Sequence, residues 1–488
     1  MSLFALRAGS VQEPKYEGED LNEDGEPFSQ WSYLPDLILE QVFAHLSISE
    51  RYAASQVCRN WYYAFYLPNT WSTFVLSDTT LTRRKYNYYS GWQHILDHVR
   101  MSQCLCKVGF NFRSLIFEPM LNFYNLFEFM NMMSFFTEQQ GLDNTTVSGV
   151  GSKVHTLRFT FPCNMAADDR ERCRLYGTGG KLLEALKRLM GNLVSLQYLE
   201  LRDLMLDITE GQTLLDEVCA TCSLTLKELI LVNATEAPCQ LLHVGIFLNL
   251  QVLVISPQNL GEDVLSLIGQ TRLRHLHILQ NRFTPSELIL LPVSGRAWQL
   301  CRKSNTHLSV HLELESPRER EVIWQERAPV RSIIYNSPLA KVQSESIMTT
   351  IDLYAKDLRA YGHLGLPRFH RSRSFHDRVD ALLLLLVRQS VWLHTLIVRE
   401  RVSTATVLLL AKAGRNLKNF VIRRNAVILR CDWPRSPDWD DEFHQWLQVS
   451  ARSYDATEKE VSQLLGFKWC MLSDKQFKAL SVNVHNLN

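Results

Sequence analysis

The spacing of hydrophobic residues changes near Trp71. Between Asp36 and Phe65, apolar side chains recur every three or four residues, which predicts short helices, and Pro68 ends the last of them. Beyond Trp71 the apolar residues follow the pattern L-x-x-L-x-L, in which alternating positions are typical of a half-buried strand. The chain is therefore predicted to begin with a small helical module and to continue as repeated units of strand, turn and helix.

The strand pattern recurs along most of the chain. It begins at Phe112, Val154, Leu196, Leu226, Leu250 and Leu273, with spacings of 42, 42, 30, 24 and 23 residues. The later spacings lie in the range of leucine-rich repeats. The pattern is weak between residues 300 and 392 and returns at Leu393 and Leu417. We expect an α/β repeat fold, an irregular leucine-rich-repeat solenoid over residues 77–430.

The two ends of the chain differ from the repeats in composition. Residues 9–28 contain seven acidic side chains and few apolar ones, so residues 1–30 are expected to form a flexible acidic tail. Residues 431–488 are rich in Trp, Phe and Tyr. Because the last repeat of a solenoid needs a cover, this region is interpreted as a C-terminal cap.

The helical module, residues 31–76, resembles an F-box. The resemblance rests on Leu34-Pro35, the Val42-Phe43 pair, Leu46, the run Val57-Cys58-Arg59-Asn60-Trp61 and the closing Trp71. Two positions depart from the family pattern: Arg51 stands where an apolar residue is usual, and Thr70 replaces the usual leucine. The arrangement of an F-box followed by repeats and a Trp-rich end is similar to that of F-box-only proteins with a repeat-type substrate domain.

This resemblance implies a partner and a set of contact residues. F-box proteins dock onto Skp1, and through it onto a cullin and a RING subunit of a ubiquitin ligase. The residues that match the family motif, and are expected to form the Skp1 interface with its supporting core, are Leu34, Pro35, Ile38, Leu39, Val42, Phe43, Leu46, Val57, Cys58 and Trp61. The chain is accordingly expected to be a non-catalytic substrate adaptor.

The repeat strands are expected to select the protein substrate. In L-x-x-L-x-L the leucines point inward and the flanking positions point to the opposite, concave face. The candidate substrate-binding residues on that face are Ile230, Val252, Val254, Arg274, His275 and His277. An alternative recognition element is the basic segment 368–378, whose other interpretation is a solvated loop.

The net charge and the few candidate reactive residues disfavour several classes of function. The chain has 52 basic and 51 acidic residues, so no overall field indicates nucleic-acid binding. Cys219 and Cys222 form a CxxC motif within a predicted helix and are interpreted as packing residues; an oxidoreductase is the less favoured alternative. No cofactor and no metal site is predicted, and neither DNA nor membrane is an expected partner.

Two further expectations concern location and the competing function. Without a secretion signal or a long apolar run, the protein is expected in the cytoplasm, the nucleus or both. The alternative to a ligase adaptor is a leucine-rich-repeat scaffold or an RNA- or protein-binding module without ligase function.

Overall fold

The structure is a computed structural model that describes residues 30–89, 91–120, 122–140, 149–161, 181–285, 292–317, 319–368, 374–437, 439–482 and 485. The predicted acidic tail lies outside these residues apart from Gln30. The chain divides into two compact units, Met1–Leu204 with Thr209–Leu229, and Met205–Ile208 with Ile230–Asn488. Each unit is described separately.

The first unit opens with the predicted helical module. Helix α1 spans Asp36–His45, α2 spans Ile48–Ala54 and α3 spans Arg59–Ala64, flanked by 3-10 turns at Gln30–Tyr33 and Pro68–Trp71. Pro35 precedes α1 with φ −58°, and Ser47 forms a capping box with Glu50 at the start of α2. These local signals explain why three short helices form within so few residues.

Parallel strands follow in the first unit. Strands β1 (Thr73–Leu76), β4 (Ser114–Phe117), β5 (Thr156–Thr160) and β6 (Tyr198–Arg202) pair in that order. The helices of this unit are α4 (His98–Val108), α5 (Phe123–Gln140), α6 (Lys181–Asn192) and most of α7 (Ile208–Cys222). The central leucines of the strands, including Leu115, Leu157 and Leu199, are fully buried. They form the layer that the sequence pattern predicts.

A two-stranded antiparallel hairpin stands outside this order. Strands β2 (Thr82–Asn87) and β3 (Gly91–Leu96) pair only with each other. Gly91 has φ 70° after the turn, a conformation that suits glycine. The repeat pattern did not predict this hairpin, because most of its side chains are polar or aromatic and nearly all of them are exposed or half-buried.

The second unit repeats the strand and helix alternation. Its parallel strands that pair in chain order are β8 (Val252–Ile255), β9 (His275–Asn281), β10 (Ser309–Glu315), β11 (Val330–Tyr335), β12 (Ala360–His363), β13 (Thr395–Val398) and β15 (Asn419–Ile422). Strand β7 (Glu228–Val232) contains the boundary between the units, and the short strands β14 (Val402–Ser403) and β16 (Val427–Ile428) form a separate pair. The helices between strands are α8 (Glu262–Gln270), α9 (Gly295–Ser304), α10 (Ser344–Tyr354), α11 (Asp380–Gln389) and α12 (Thr404–Ala413).

The chain ends in three more helices, α13 (Asp441–Ser450), α14 (Tyr454–Leu465) and α15 (Asp474–Lys478). Leu472 forms a parallel bridge with Arg423, the residue that follows β15. The N–H of Leu472 donates to the carbonyl of Ile422 at 2.9 Å. The edge of β15 is therefore covered by the chain itself, which limits pairing with another molecule.

These observations confirm the α/β class with N-terminal helices followed by a large parallel sheet. The leucine-rich-repeat solenoid and the limits of the predicted domains stay predictions.

Candidate functional site

The first helix presents two adjacent apolar faces, about 100° apart around its axis. Leu39 and Phe43, four residues apart, are fully buried, whereas Ile38 and Val42 are 46% and 40% exposed. Residues four apart lie on one side of a helix, so each pair forms one face. The inner pair packs the module, and the outer pair is left as an apolar surface.

The other residues of the predicted interface divide into exposed and half-buried ones. Pro35 and Val57 are exposed, while Leu34, Leu46, Cys58 and Trp61 are half-buried. Phe43 and Trp61 meet edge to face, with ring centroids 6.0 Å apart. Leu39 and Phe43 therefore support the surface from inside and do not themselves form its exterior.

The start of α1 is fixed by residues of α3. The side-chain amide of Asn60 donates to the carbonyls of Ser32 and Leu34, both at 3.1 Å. The indole N–H of Trp61 donates to the carbonyl of Trp31 at 3.0 Å. The turn at Leu34-Pro35 is thus held in place by Asn60 and Trp61, which gives these two residue types of the motif a structural reason.

Arg51, the first departure from the family pattern, has a structural role within the module. Its side chain is buried, and its Nε donates to the carbonyls of Phe43 at 2.8 Å and Leu46 at 2.9 Å. A terminal nitrogen donates to the carbonyl of Ala44 at 3.1 Å. These are carbonyls at the end of α1, where backbone acceptors lack partners within the helix. The guanidinium therefore caps α1.

Thr70, the second departure, is also satisfied. Its hydroxyl donates to the carbonyl of Ala64 at 3.0 Å although the residue is 1% exposed. Arg51 and Thr70 both make hydrogen bonds inside the module. Because neither residue lies on α1, these two departures from the family pattern leave the outer apolar face of that helix unchanged.

The predicted substrate face is mostly closed. Ile230, Val252 and Val254 are between 7% and 9% exposed, and His277 is 4% exposed. His275 is half-buried, and Arg274 is exposed. The expectation that all six side chains face solvent is wrong for Ile230, Val252, Val254 and His277. Alternation identifies two faces of a strand, but in parallel sheets both faces are commonly covered, and the repeat pattern gives no sign of the second layer.

Part of this second layer is the C-terminal segment, residues 472–482. Phe477 is fully buried in a cluster with Ile334, Ala360, Leu364 and Ile397. Additional side chains that pack against the cluster are Leu366, Val421, Leu472, Leu480 and Val482. Ile334, Ile397 and Val421 occupy the outward positions of three strand patterns, so the segment lies on the face that was expected to bind substrate.

Four histidines meet on the same face and are called the histidine cluster: His275, His277, His311 and His485. The Nδ1 of His275 lies 3.1 Å from Nε2 of His311, and Nε2 of His277 lies 2.8 Å from Nε2 of His485. Nδ1 of His277 lies 2.6 Å from the carboxylate of Glu313. Burial lowers the pKa of His275 to about 4, and neighbouring His485, His277, Arg331 and Arg274 act in the same direction. Burial also lowers the pKa of His311 well below its usual value.

The alternative basic segment is only partly described. Residues 369–373 lie outside the described residues. Arg378 is buried and pairs with Asp380 at 2.7 Å and with Asp432 at 2.8 Å. That arginine stabilises the fold, so it is not available as part of a solvated recognition loop.

The CxxC motif lies on α7, as predicted. Burial raises the pKa of Cys219 to about 12, with Asp216 and Cys222 adding to the effect, and burial raises the pKa of Cys222 to about 11. Such thiols stay protonated at neutral pH, which disfavours a nucleophilic role.

No group of three or more His, Cys, Asp or Glu side chains in the described ranges has a geometry that could hold a metal ion. Within those same ranges, the helices are too short or too polar to cross a bilayer.

Comparison with known protein families identifies one domain. Residues 31–77 match the family described as F-box-like. This segment contains the 3-10 turn, α1 to α3 and Trp71, and it supports the assignment as an F-box protein. No curated protein matches the chain. The narrower assignment among F-box-only proteins stays a prediction.

Proposed function

We propose that this protein is a substrate adaptor of a Skp1-cullin-F-box ubiquitin ligase, in which the module at residues 31–77 docks onto Skp1. The observation that carries the proposal is the outer face of α1, where Ile38 and Val42 are exposed within an F-box-like domain. Exposed apolar side chains on an otherwise well-packed module are typical of a protein-binding surface.

The proposed mechanism is catalysis by proximity. The cullin and RING subunits, reached through Skp1, bring the charged ubiquitin-conjugating enzyme to a substrate held by the remainder of this chain. Tethering raises the local concentration of substrate lysines to about the millimolar range, and no acid or base of the adaptor is needed. The ubiquitylated substrate is then degraded by the proteasome.

Co-purification from cells tests this function. The tagged wild-type chain is expected to bring Skp1 and cullin with it, whereas the double variant Ile38→Asp, Val42→Asp loses both. Tyr63→Asp is the matched control, because Tyr63 is also exposed in the module but lies outside the motif residues. Equal recovery of Skp1 with the double variant and the control would refute the proposed interface.

One observation favours the alternative of an RNA-binding module. The β2–β3 hairpin carries exposed Tyr86 opposite exposed Trp92, with ring centroids 5.4 Å apart, and Arg84 opposite His94 on the same face. Aromatic and cationic side chains together are typical of single-stranded nucleic-acid platforms. If this function holds, a fluorescent 20-nucleotide uridylate binds the protein and Trp92→Ala weakens binding about tenfold.

A further inference from the structure

A cationic cleft lies in the second unit where the strands β9 to β12 begin. It has a volume of about 820 Å³, and four arginines are among the residues that line it: Arg272, Arg274, Arg331 and Arg359. The exposed residues Ser304 and Thr306 add hydroxyl groups to the lining. Among the described residues that line the cleft there is no carboxylate.

The topology explains why these cations gather. Arg331 is the second residue of β11 and Arg359 directly precedes β12, and the N–H of Arg359 donates to the carbonyl of Arg331 at 2.7 Å. The row continues with His394 and Lys418, which directly precede β13 and β15. The N–H of His394 donates to the carbonyl of Arg359 at 2.8 Å, and the N–H of Lys418 donates to the carbonyl of His394 at 2.9 Å. Neighbouring strands are about 4.8 Å apart. Successive repeats therefore place basic residues side by side along one edge.

The cations in this row act unfavourably on one another. Burial lowers the pKa of Arg331, and the nearby Arg359 lowers it further. The carboxylate of Asp357 acts in the opposite direction, but it is already bidentate with Arg302, with both contacts at 2.8 Å. Like charges that are held close together in a partly desolvated cleft repel one another. A bound anion relieves this repulsion, which favours anion binding.

The chemistry of the lining suits a phosphate group. Guanidinium groups bind phosphate oxygens through paired hydrogen bonds, and hydroxyl donors can complete the shell. The volume is far larger than a phosphate ion needs and lies in the range of pockets that enclose whole ligands. No Phe, Tyr or Trp is found among the described lining residues, which disfavours single-stranded nucleic acid because such sites stack bases on aromatic rings.

We propose that the cleft formed by Arg272, Arg274, Arg331 and Arg359 binds a phosphorylated serine or threonine in an extended protein segment. The identity of that segment as part of a ubiquitylation substrate rests on the adaptor function proposed above, but the phosphate site does not. In this arrangement the phosphate lies at the start of the strands, next to His275 and His485 of the histidine cluster, which also line the cleft.

Fluorescence anisotropy on the full chain tests the proposal. The probe is a fluorescein-labelled peptide mixture with phosphoserine fixed between four randomised residues on each side, compared with the same mixture carrying serine. We expect the phosphorylated mixture to bind, the serine mixture to bind at least tenfold more weakly, and inorganic phosphate to compete. Raising the salt concentration weakens binding because the contact is ionic.

Variants locate the site. Arg274→Glu changes an exposed side chain and is expected to weaken the phosphopeptide by about tenfold or more, whereas Arg274→Lys retains part of the affinity. Arg331→Glu is a second variant with the same expected loss. Arg452→Glu makes the same charge change at an exposed position outside the cleft and leaves binding unchanged. Thermal unfolding of each variant verifies folding.

Several results would overturn the proposal. They are absence of binding, equal binding of the phosphorylated and serine mixtures, equal effects of Arg274→Glu and Arg452→Glu, or displacement of the peptide by uridylate in a manner that depends on Arg274. Skp1 binding is measured on the same variants and is expected to be unaffected. Loss of Skp1 binding with intact phosphopeptide binding therefore reports on the adaptor function alone, and the reverse result reports on the cleft alone.

Discussion

The guanidinium carbon of Arg51 lies 5.3 Å from the centroid of the Trp71 ring, and the same side chain donates three hydrogen bonds to carbonyls at the end of α1. Arg51 thereby connects the first helix of the module to its closing tryptophan. A cation over an aromatic face is stabilising, more so when water is excluded.

We predict that Arg51→Met lowers the free energy of unfolding of the module by about 2–4 kcal/mol, because the carbonyls of Phe43, Ala44 and Leu46 lose their donors. Hydrogen exchange of residues 36–46 measures the effect locally. Arg59→Met, at an exposed position of α3, is the control and is expected to change protection little. Equal exchange in the two variants would show that Arg51 does not cap α1.

The C-terminal segment gives a second prediction. Phe477→Ala is expected to cost about 3–5 kcal/mol, because a fully buried phenyl ring is replaced by a cavity among Ile334, Ala360 and Ile397. Phe467→Ala is the control, since that ring is 40% exposed and should cost much less. Denaturant unfolding measures both. A similar loss in the two variants would contradict the assigned packing of the segment.

Acidification is predicted to destabilise the second unit through the histidine cluster. The pKa of His275 is lowered from 6.5 to about 4, and the pKa values of His311 and His485 are also lowered by burial, so the folded state holds these rings neutral. Below about pH 6.5 the unfolded chain binds more protons than the folded chain. The free energy of unfolding therefore falls as the pH drops from 6.5 towards 4, by up to about 1.4 kcal/mol per pH unit for each histidine.

Thermal unfolding between pH 7.5 and 4.5 measures this dependence. The groups that act on the cluster are Glu313, Arg274 and Arg331. His311→Asn removes one titrating ring while its side chain can still reach Ser332, which His311 contacts at 2.7 Å. Its slope with pH is expected to be shallower, whereas His307→Asn, at an exposed position, keeps the wild-type slope. Identical slopes for all three proteins would contradict the account of the cluster.

The thiols of the CxxC motif are predicted to react slowly. The raised pKa values of Cys219 and Cys222 leave little thiolate at pH 7, so alkylation of these residues by iodoacetamide should lag behind that of exposed Cys106 and should accelerate with rising pH. Mass spectrometry of the modified peptides measures the rates. Preferential modification of Cys219 at pH 7 would instead support the oxidoreductase alternative.

The sequence predicted the elements that depend on local signals. Ser473 and Gln476 have the spacing of a capping box, and α15 begins there with both reciprocal hydrogen bonds. Gly466 follows α14 in the left-handed conformation with φ 77°, which is common for a glycine just past a helix. Leu276 and Leu312 are buried in the strand layer as their alternation requires. Such features are set by neighbouring residues, which is why one sequence is enough to find them.

The parts that depend on distant residues were missed or misassigned. His485 meets His277 across 208 positions, and no periodicity indicates that contact. Arg331 and Arg359 come together because their strands pair, although each alone is an ordinary basic residue near the start of a strand. Ile230 and Val254 were assigned to an open face because alternation cannot report a covering layer. A row of basic residues at the same repeat position was a signal that could have revealed the cleft.

Calorimetric titration of purified Skp1 into the purified full chain tests the adaptor function most directly. The account predicts saturable binding by the wild-type chain and by Tyr63→Asp, and a loss of about 100-fold or more in affinity for the double variant Ile38→Asp, Val42→Asp, with unchanged thermal unfolding. Absence of Skp1 binding by the folded wild-type chain, or equal affinity for the double variant, would contradict it.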